Sequence, residues 1–191
     1  MKYGIIDHHL PVLYVQKGRD MFVGRKKEFQ FLEERYQSNK AELVVLYGRR
    51  RIGKTELLNR FCADKDYVFY SCREYSDAIQ LDTFSKEILK KNHLASKYID
   101  SYRSWDEVFQ HENIMIVLCG SAMSFIEKEI LSEKNPLYGR ATGVYKLKEL
   151  AFGEAVEFFP NYSNEDKMAA YAILGGVPHY LKQFDERLSL L

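Results

Sequence analysis

Gly48-Arg49-Arg50-Arg51-Ile52-Gly53-Lys54-Thr55 meets every fixed position of the spacing G-x-x-x-x-G-K-[ST], and phosphate binding is the chemistry this pattern serves. A polyphosphate needs many N–H donors at once, which a loop supplies by wrapping it in backbone amides. Gly48 and Gly53 permit the dihedrals and the close approach this requires. A helix starting at the end of the loop turns its positive N-terminal end toward the anion. Lys54 would bridge the β- and γ-phosphates, and the Thr55 hydroxyl would coordinate magnesium. The candidate nucleotide site runs from Gly48 to Glu56 and includes Ile52. Arg49, Arg50 and Arg51 read in two ways, as cations that steer phosphate or touch a partner, or as a solvated charge run.

The loop needs a strand before it and a helix after it, and the sequence provides both. Ala41 to Tyr47 (AELVVLY) is continuously apolar and β-rich, as expected of a parallel strand covered on both faces. Thr55 to Cys62 sets Leu57, Leu58 and Phe61 on one helical face, and Tyr67 to Ser71 is a second short strand, completing a βαβ unit. Upstream, Phe29, Leu32 and Tyr36 recur at helical spacing between Arg25 and Tyr36. Downstream, Ser76 or Asp77 opens a helix to Lys91 whose apolar side is Ile79, Phe84, Ile88 and Leu89. Ile114 to Leu118 is a third strand, followed by a helix rich in Phe125, Ile126 and Ile130. Beyond Tyr145 the chain reads as short helices. One runs from Gly153 to Phe159 and is stopped by Pro160; another runs from Asn164 to Leu174 and is stopped by Gly175 and Gly176; Pro178 starts the last.

Composition bounds the function. Of 191 residues, 28 are basic and 27 acidic, a net charge of +1. That balance argues against a domain whose main work is neutralising nucleic-acid phosphates. The longest apolar runs fall far short of the roughly 18 residues a membrane helix needs. Cys62, Cys72 and Cys119 include no CxxC pair, so neither a disulfide framework nor a zinc site is indicated. His8 and His9 are adjacent and face opposite ways in an extended chain, so they do not chelate one metal together. The N-terminus lacks the pattern of a signal peptide. The expected setting is the cytoplasm, with reduced thiols.

Around the phosphate loop, five segments resemble the archaeal-type ATPase family, a branch of the AAA-related signal-transduction (STAND) P-loop ATPases that also occurs widely in bacteria. They are FVGRKKE at Phe22 to Glu28, VVLYGRRRIGKTELL at Val44 to Leu58, IVLCGSAMSFIEKEIL at Ile116 to Leu131, PLYGRATG at Pro136 to Gly143, and AYAILGGVPHYL at Ala170 to Leu181. The resemblance implies an α/β fold of the P-loop NTPase type, a doubly wound parallel sheet with a short C-terminal helical lid, binding ATP and Mg2+. It divides the chain into an N-terminal arm (1–20), an ATPase core (21–146) and a lid (147–191). It also implies roles. Gly24 and Arg25 match an entry box beside the adenine, Ser121 a polar sensor of the γ-phosphate or attacking water, and Arg140 an arginine that contacts phosphate or signals nucleotide state. Gly176, Val177 and Pro178 match the GGxP turn of the lid. Plainer readings stand beside these: Arg25 as a helix-start charge, Ser121 as an N-cap, Arg140 as an exposed loop cation, the glycines as a C-cap and turn, and His179 as a packing residue.

One expected part is not found. A P-loop ATPase carries a strand of apolar residues ending in an acid that holds magnesium, usually followed by Glu. Between Thr55 and Ile114, Asp106-Glu107 follows Ser104-Trp105 rather than a strand, and Lys97 to Asp100 is short and polar. The interval has room for about two helices and one strand, at roughly 30 residues per βαβ step. One strand-helix unit is therefore expected to be absent near 109–111. Either the chain lost its magnesium aspartate and binds nucleotide with little hydrolysis, or the unit belongs to a segment not represented in this sequence. The leading expectation is a slow Mg-ATPase acting as a conformational switch, with ATP and ADP as ligands, an unknown protein partner and homo-oligomers among its assemblies. The alternative is a hydrolysis-deficient nucleotide-binding or partner-interaction module.

Overall fold

The computed structural model describes residues 5–7, 22–71, 75–91, 95–109, 114–133 and 139–184. Its centre is a five-stranded, wholly parallel sheet. In chain order the strands are β1 (Ile5–Asp7), β2 (Glu42–Tyr47), β3 (Phe69–Tyr70), β4 (Met115–Gly120) and β5 (Gly143–Lys146), and across the sheet they lie β3-β1-β4-β2-β5. The helices are α1 (Lys26–Tyr36), α2 (Lys54–Cys62), α3 (Asp77–Lys91), α4 (Trp105–Phe109), α5 (Met123–Phe125, running into a π-turn at Ile126–Ile130), α6 (Phe152–Ala155), α7 (Asn164–Leu174) and α8 (Pro178–Leu181). This is an α/β domain. Among the described residues no helix is long and apolar enough to cross a membrane.

The continuous apolar run of β2 is explained by burial on both faces. Val44 and Leu46 pack with Leu32 of α1 and with Leu57, Leu58 and Phe61 of α2. Val45 and Tyr47 alternate to the other face, against Ile126 and Met123. Each such side chain contributes about 1.5–3 kcal/mol when fully buried, so β2 is fixed at the centre of the sheet. A separate cluster joins β3, α3 and α4 through Tyr70, Phe84, Ile88 and Val108. The C-terminal helices form their own small core of Leu150, Phe158, Phe159, Ala170 and Leu181, into which Val23 also packs.

Several expectations change. The first 20 residues, read as an arm outside the core, contribute β1: Ile5 and Ile6 pair with Phe69 and Tyr70 on one side, and Ile5 to Asp7 pair with Val117 to Cys119 on the other. Between Thr55 and Ile114 the described residues hold a single strand, and β1 enters the sheet between β3 and β4. Residues 110–113, beside the expected gap, lie outside the described residues, as do His8, His9, Cys72 and 134–138. The β5 strand was not anticipated, because its side chains alternate in burial and only Gly143 is buried. Ile79 and Phe125, expected in apolar helix faces, are exposed. In the segment expected to be helical from Gly153 to Phe159, α6 gives way after Ala155 to a 3-10 turn over Val156–Phe158.

Candidate functional site

The site is built where β2 ends. After Tyr47 the chain turns at Gly48, whose N–H donates to the Gly120 carbonyl at the end of β4 (3.3 Å). It then loops through Arg49 to Ile52 and enters α2 at Gly53, which has φ 91°. That left-handed value is open to glycine and strained for any other residue. Leu57 N–H donates to Gly53 O at 2.9 Å, closing the first turn of α2. Ile52 is 1% exposed and anchors the loop in the core beneath.

Lys54 is buried, and its ammonium lies within the loop, donating to Gly48 O and Arg49 O at 2.8 Å each. A buried ammonium needs such partners, and the loop carbonyls accept two of its three protons. The arrangement holds a positive charge inside the loop, beside the start of α2.

Above the loop lies a cavity of about 920 Å³, within the size range of small-ligand sites. Of the residues expected at the site, Arg25, Arg49, Arg50, Arg51, Ile52, Gly53, Lys54, Thr55, Glu56, Ser121 and Pro178 line it. Gly48 lies beneath it as a partner of Lys54, and Gly24 precedes Arg25. Arg140 is exposed and is not among the lining residues. The lining carries four arginines and two lysines, the second being Lys182, against one carboxylate, Glu56. Such a wall favours a polyanion.

Arg25 does more than begin a helix. Its guanidinium is buried, donating from Nη2 to Ile52 O at 3.0 Å and pairing through Nη1 with Glu28 at 3.0 Å. Its backbone N–H donates to Glu154 Oε1 (3.3 Å), while Glu154 Oε2 accepts from Ala151 N–H (3.1 Å). The segment before α1, the phosphate loop and the start of α6 are therefore joined through one residue.

The C-terminal helices reach the loop as well. Arg49 pairs with Glu149, and Arg51 Nη1 donates to the Tyr180 hydroxyl at 3.2 Å, its guanidinium 5.6 Å from the centre of that ring. Sequence reasoning missed Tyr180 and Lys182 as lining residues and took His179, which also lines the cavity, as packing. Their only local signal was proximity to Pro178. It also missed β1, which ends in two isoleucines and an acid: Asp7 pairs in register with Cys119, two residues before Ser121. Among the described residues no cluster of three or more metal-ligating side chains occurs.

Residues 22–109 match the family described as an ATPase domain predominantly from Archaea. Over 192 residues the chain is 29% identical to an uncharacterized protein of Methanocaldococcus jannaschii, a match covering 85% of this chain and 44% of that protein. This chain thus spans less than half the length of that relative. Over 45 residues it is 56% identical to an uncharacterized ATP-binding protein of the same organism, covering 24% of this chain and 76% of that protein. On these matches the chain belongs, through residues 22–109, to the family of ATPase domains found predominantly in Archaea.

Proposed function

We propose that this domain binds ATP with magnesium and hydrolyses it slowly, as a switch of the signal-transduction type in which the helices after β5 act as a lid. The observation that carries the reading is the seat of Lys54, buried inside the GRRRIGKT loop at the base of a cavity lined by arginines. The ATP-binding relative supports adenine as the base. In this reading the loop amides and Lys54 hold the β- and γ-phosphates, Arg25 fixes the loop through Ile52, and Ser121 faces the terminal phosphate from the end of β4.

The donor set suits magnesium. Mg2+ binds through one or two protein oxygens together with substrate phosphates and waters, rather than in an all-protein cage, so the lack of a three-residue cluster among the described residues is no obstacle. Thr55 supplies a hydroxyl at the start of α2. Bound magnesium would neutralise charge developing on the phosphates. Arg140, exposed and outside the cavity lining, has no part in it.

Equilibrium binding of ATP to the purified chain tests the site. Lys54→Ala is expected to weaken affinity at least about tenfold, the loss of one charge-assisted contact to phosphate, and unchanged affinity would sink the reading. Thr55→Ala is expected to leave binding without magnesium largely intact while reducing the gain in affinity that magnesium brings and lowering phosphate release. The hydrolysis-deficient alternative gains ground if wild-type protein binds ATP yet releases no phosphate with magnesium present.

A further inference from the structure

We propose that Glu149 is a positioning residue that holds Arg49 off the phosphate position, so that phosphate binding and the seating of the C-terminal helices compete for one guanidinium; this rests on the nucleotide-binding reading above. Arg49 belongs to the phosphate loop and lines the cavity, yet its guanidinium pairs with Glu149, a residue 100 positions away that does not line it. Both side chains are substantially exposed, at 65% for Arg49 and 37% for Glu149. Exposed pairs of this kind are weak. An arginine–phosphate contact is charge-assisted and bidentate, so a triphosphate entering the cavity takes Arg49 from Glu149.

The consequence reaches the far helices through backbone. The next residue, Leu150, donates its N–H to Gly176 O at 2.8 Å, and its own carbonyl accepts from the Tyr171 hydroxyl at 3.2 Å. Gly176 lies in the turn that leads into Pro178 and Tyr180, both on the cavity wall. Arg51, two residues along the loop, makes the parallel contact to the Tyr180 hydroxyl. The loop's cations thus hold the Glu149–Leu150–Gly176 corner and the α8 helix at once. Phosphate, by taking Arg49 from Glu149, frees that corner, and loss of the Glu149 carboxylate frees it in the same way. By linkage, whatever stabilises the Arg49–Glu149 pair weakens phosphate binding by the same factor.

The test is a double-mutant cycle on ATP affinity with the full chain, using Glu149→Gln, Arg49→Ala and the double variant. Glu149→Gln is expected to tighten ATP binding by about one and a half- to fivefold, the range of an exposed ion pair, with Glu149→Asp restoring the wild-type value. In the Arg49→Ala background Glu149→Gln is expected to change nothing. A readout at the corner itself is the Leu150 amide resonance. In nucleotide-free Glu149→Gln it should be displaced from its wild-type position toward the position it takes in ATP-bound wild type. The proposal is overturned if Glu149→Gln leaves affinity unchanged, or tightens it equally without Arg49, which would make the effect one of general charge. Those results would leave the site reading intact if Lys54→Ala still weakens binding as expected above. Failure of wild-type protein to bind ATP at all would overturn both.

Discussion

Replacing Gly176 by alanine tests how the C-terminal helices are fastened above the cavity. A Cβ at this position would stand 2.0 Å from Leu150 O and 2.9 Å from both Leu150 C and Leu150 N. All three are backbone atoms, so no rotamer change relieves the clash and the two segments must separate. Moving packed backbone apart costs about 1–3 kcal/mol, and losing the 2.8 Å bond from Leu150 N–H to Gly176 O adds about 0.5–1.5 kcal/mol. The expected loss is therefore about 2–4 kcal/mol, a large part of a domain's stability. In urea the unfolding midpoint should fall by roughly 1–2 M, at a denaturant dependence of about 2 kcal/mol/M. ATP affinity should fall too, because the turn that sets Pro178 and Tyr180 moves. The control is Gly153→Ala in α6, where an added Cβ meets nothing within 4 Å. There alanine should be neutral, or stabilising by up to about 1 kcal/mol through helix propensity. If the Gly176 variant unfolds at the wild-type midpoint, or no earlier than the Gly153 variant, the close approach of Leu150 does not hold these helices in place and the reasoning fails.

Other outcomes follow from the same structure. Arg25→Ala leaves Ile52 O without its 3.0 Å donor and Glu28, itself mostly buried, without its cation; a stability loss of about 2–4 kcal/mol is expected by thermal unfolding, with weaker ATP binding, and a silent substitution would show that the residue is only a surface charge. Deleting residues 1–20 removes β1 from between β3 and β4 and leaves interior ladder groups unpaired; stability should drop by at least about 2 kcal/mol, and a truncated chain as stable as the full one would show that β1 does not support the sheet. Burial pushes the Cys62 thiol up to about 11 from 9.0. The folded state then keeps a proton that the unfolded state releases, so this contribution to stability is full below about pH 9 and is lost as pH rises toward 11. Urea titrations across that interval should show Cys62→Ala with a shallower alkaline decline than wild type, and parallel declines would refute the assignment.

The parts legible in the sequence are those specified by short-range physics. The β2–loop–α2 unit follows from an apolar run, two glycines and a helical apolar face within 22 consecutive residues, Ala41 to Cys62. Helix α7 was readable to its ends, where Ser163 accepts from Asp166 N–H at 3.0 Å and Gly175 closes the last turn. Other elements needed partners far along the chain. A three-residue strand such as Ile5–Asp7 has no periodicity of its own, and it becomes a strand only because β3 and β4 offer unpaired edges on either side. Alternating burial hid β5 until Leu43 to Tyr47 gave it a ladder. The exposure of Ile79 and Phe125 depended on which helix faces found a neighbour. Within the site, sequence identified the phosphate loop and Ser121 as candidates, since glycine and lysine at fixed spacing serve a requirement of backbone geometry and charge. That Arg25 is tied to Ile52, that Arg49 is held by Glu149, and that Arg140 lies outside the cavity were decided by tertiary structure alone, because the partner a long charged side chain takes is set by which distant segment the packed backbone brings within reach.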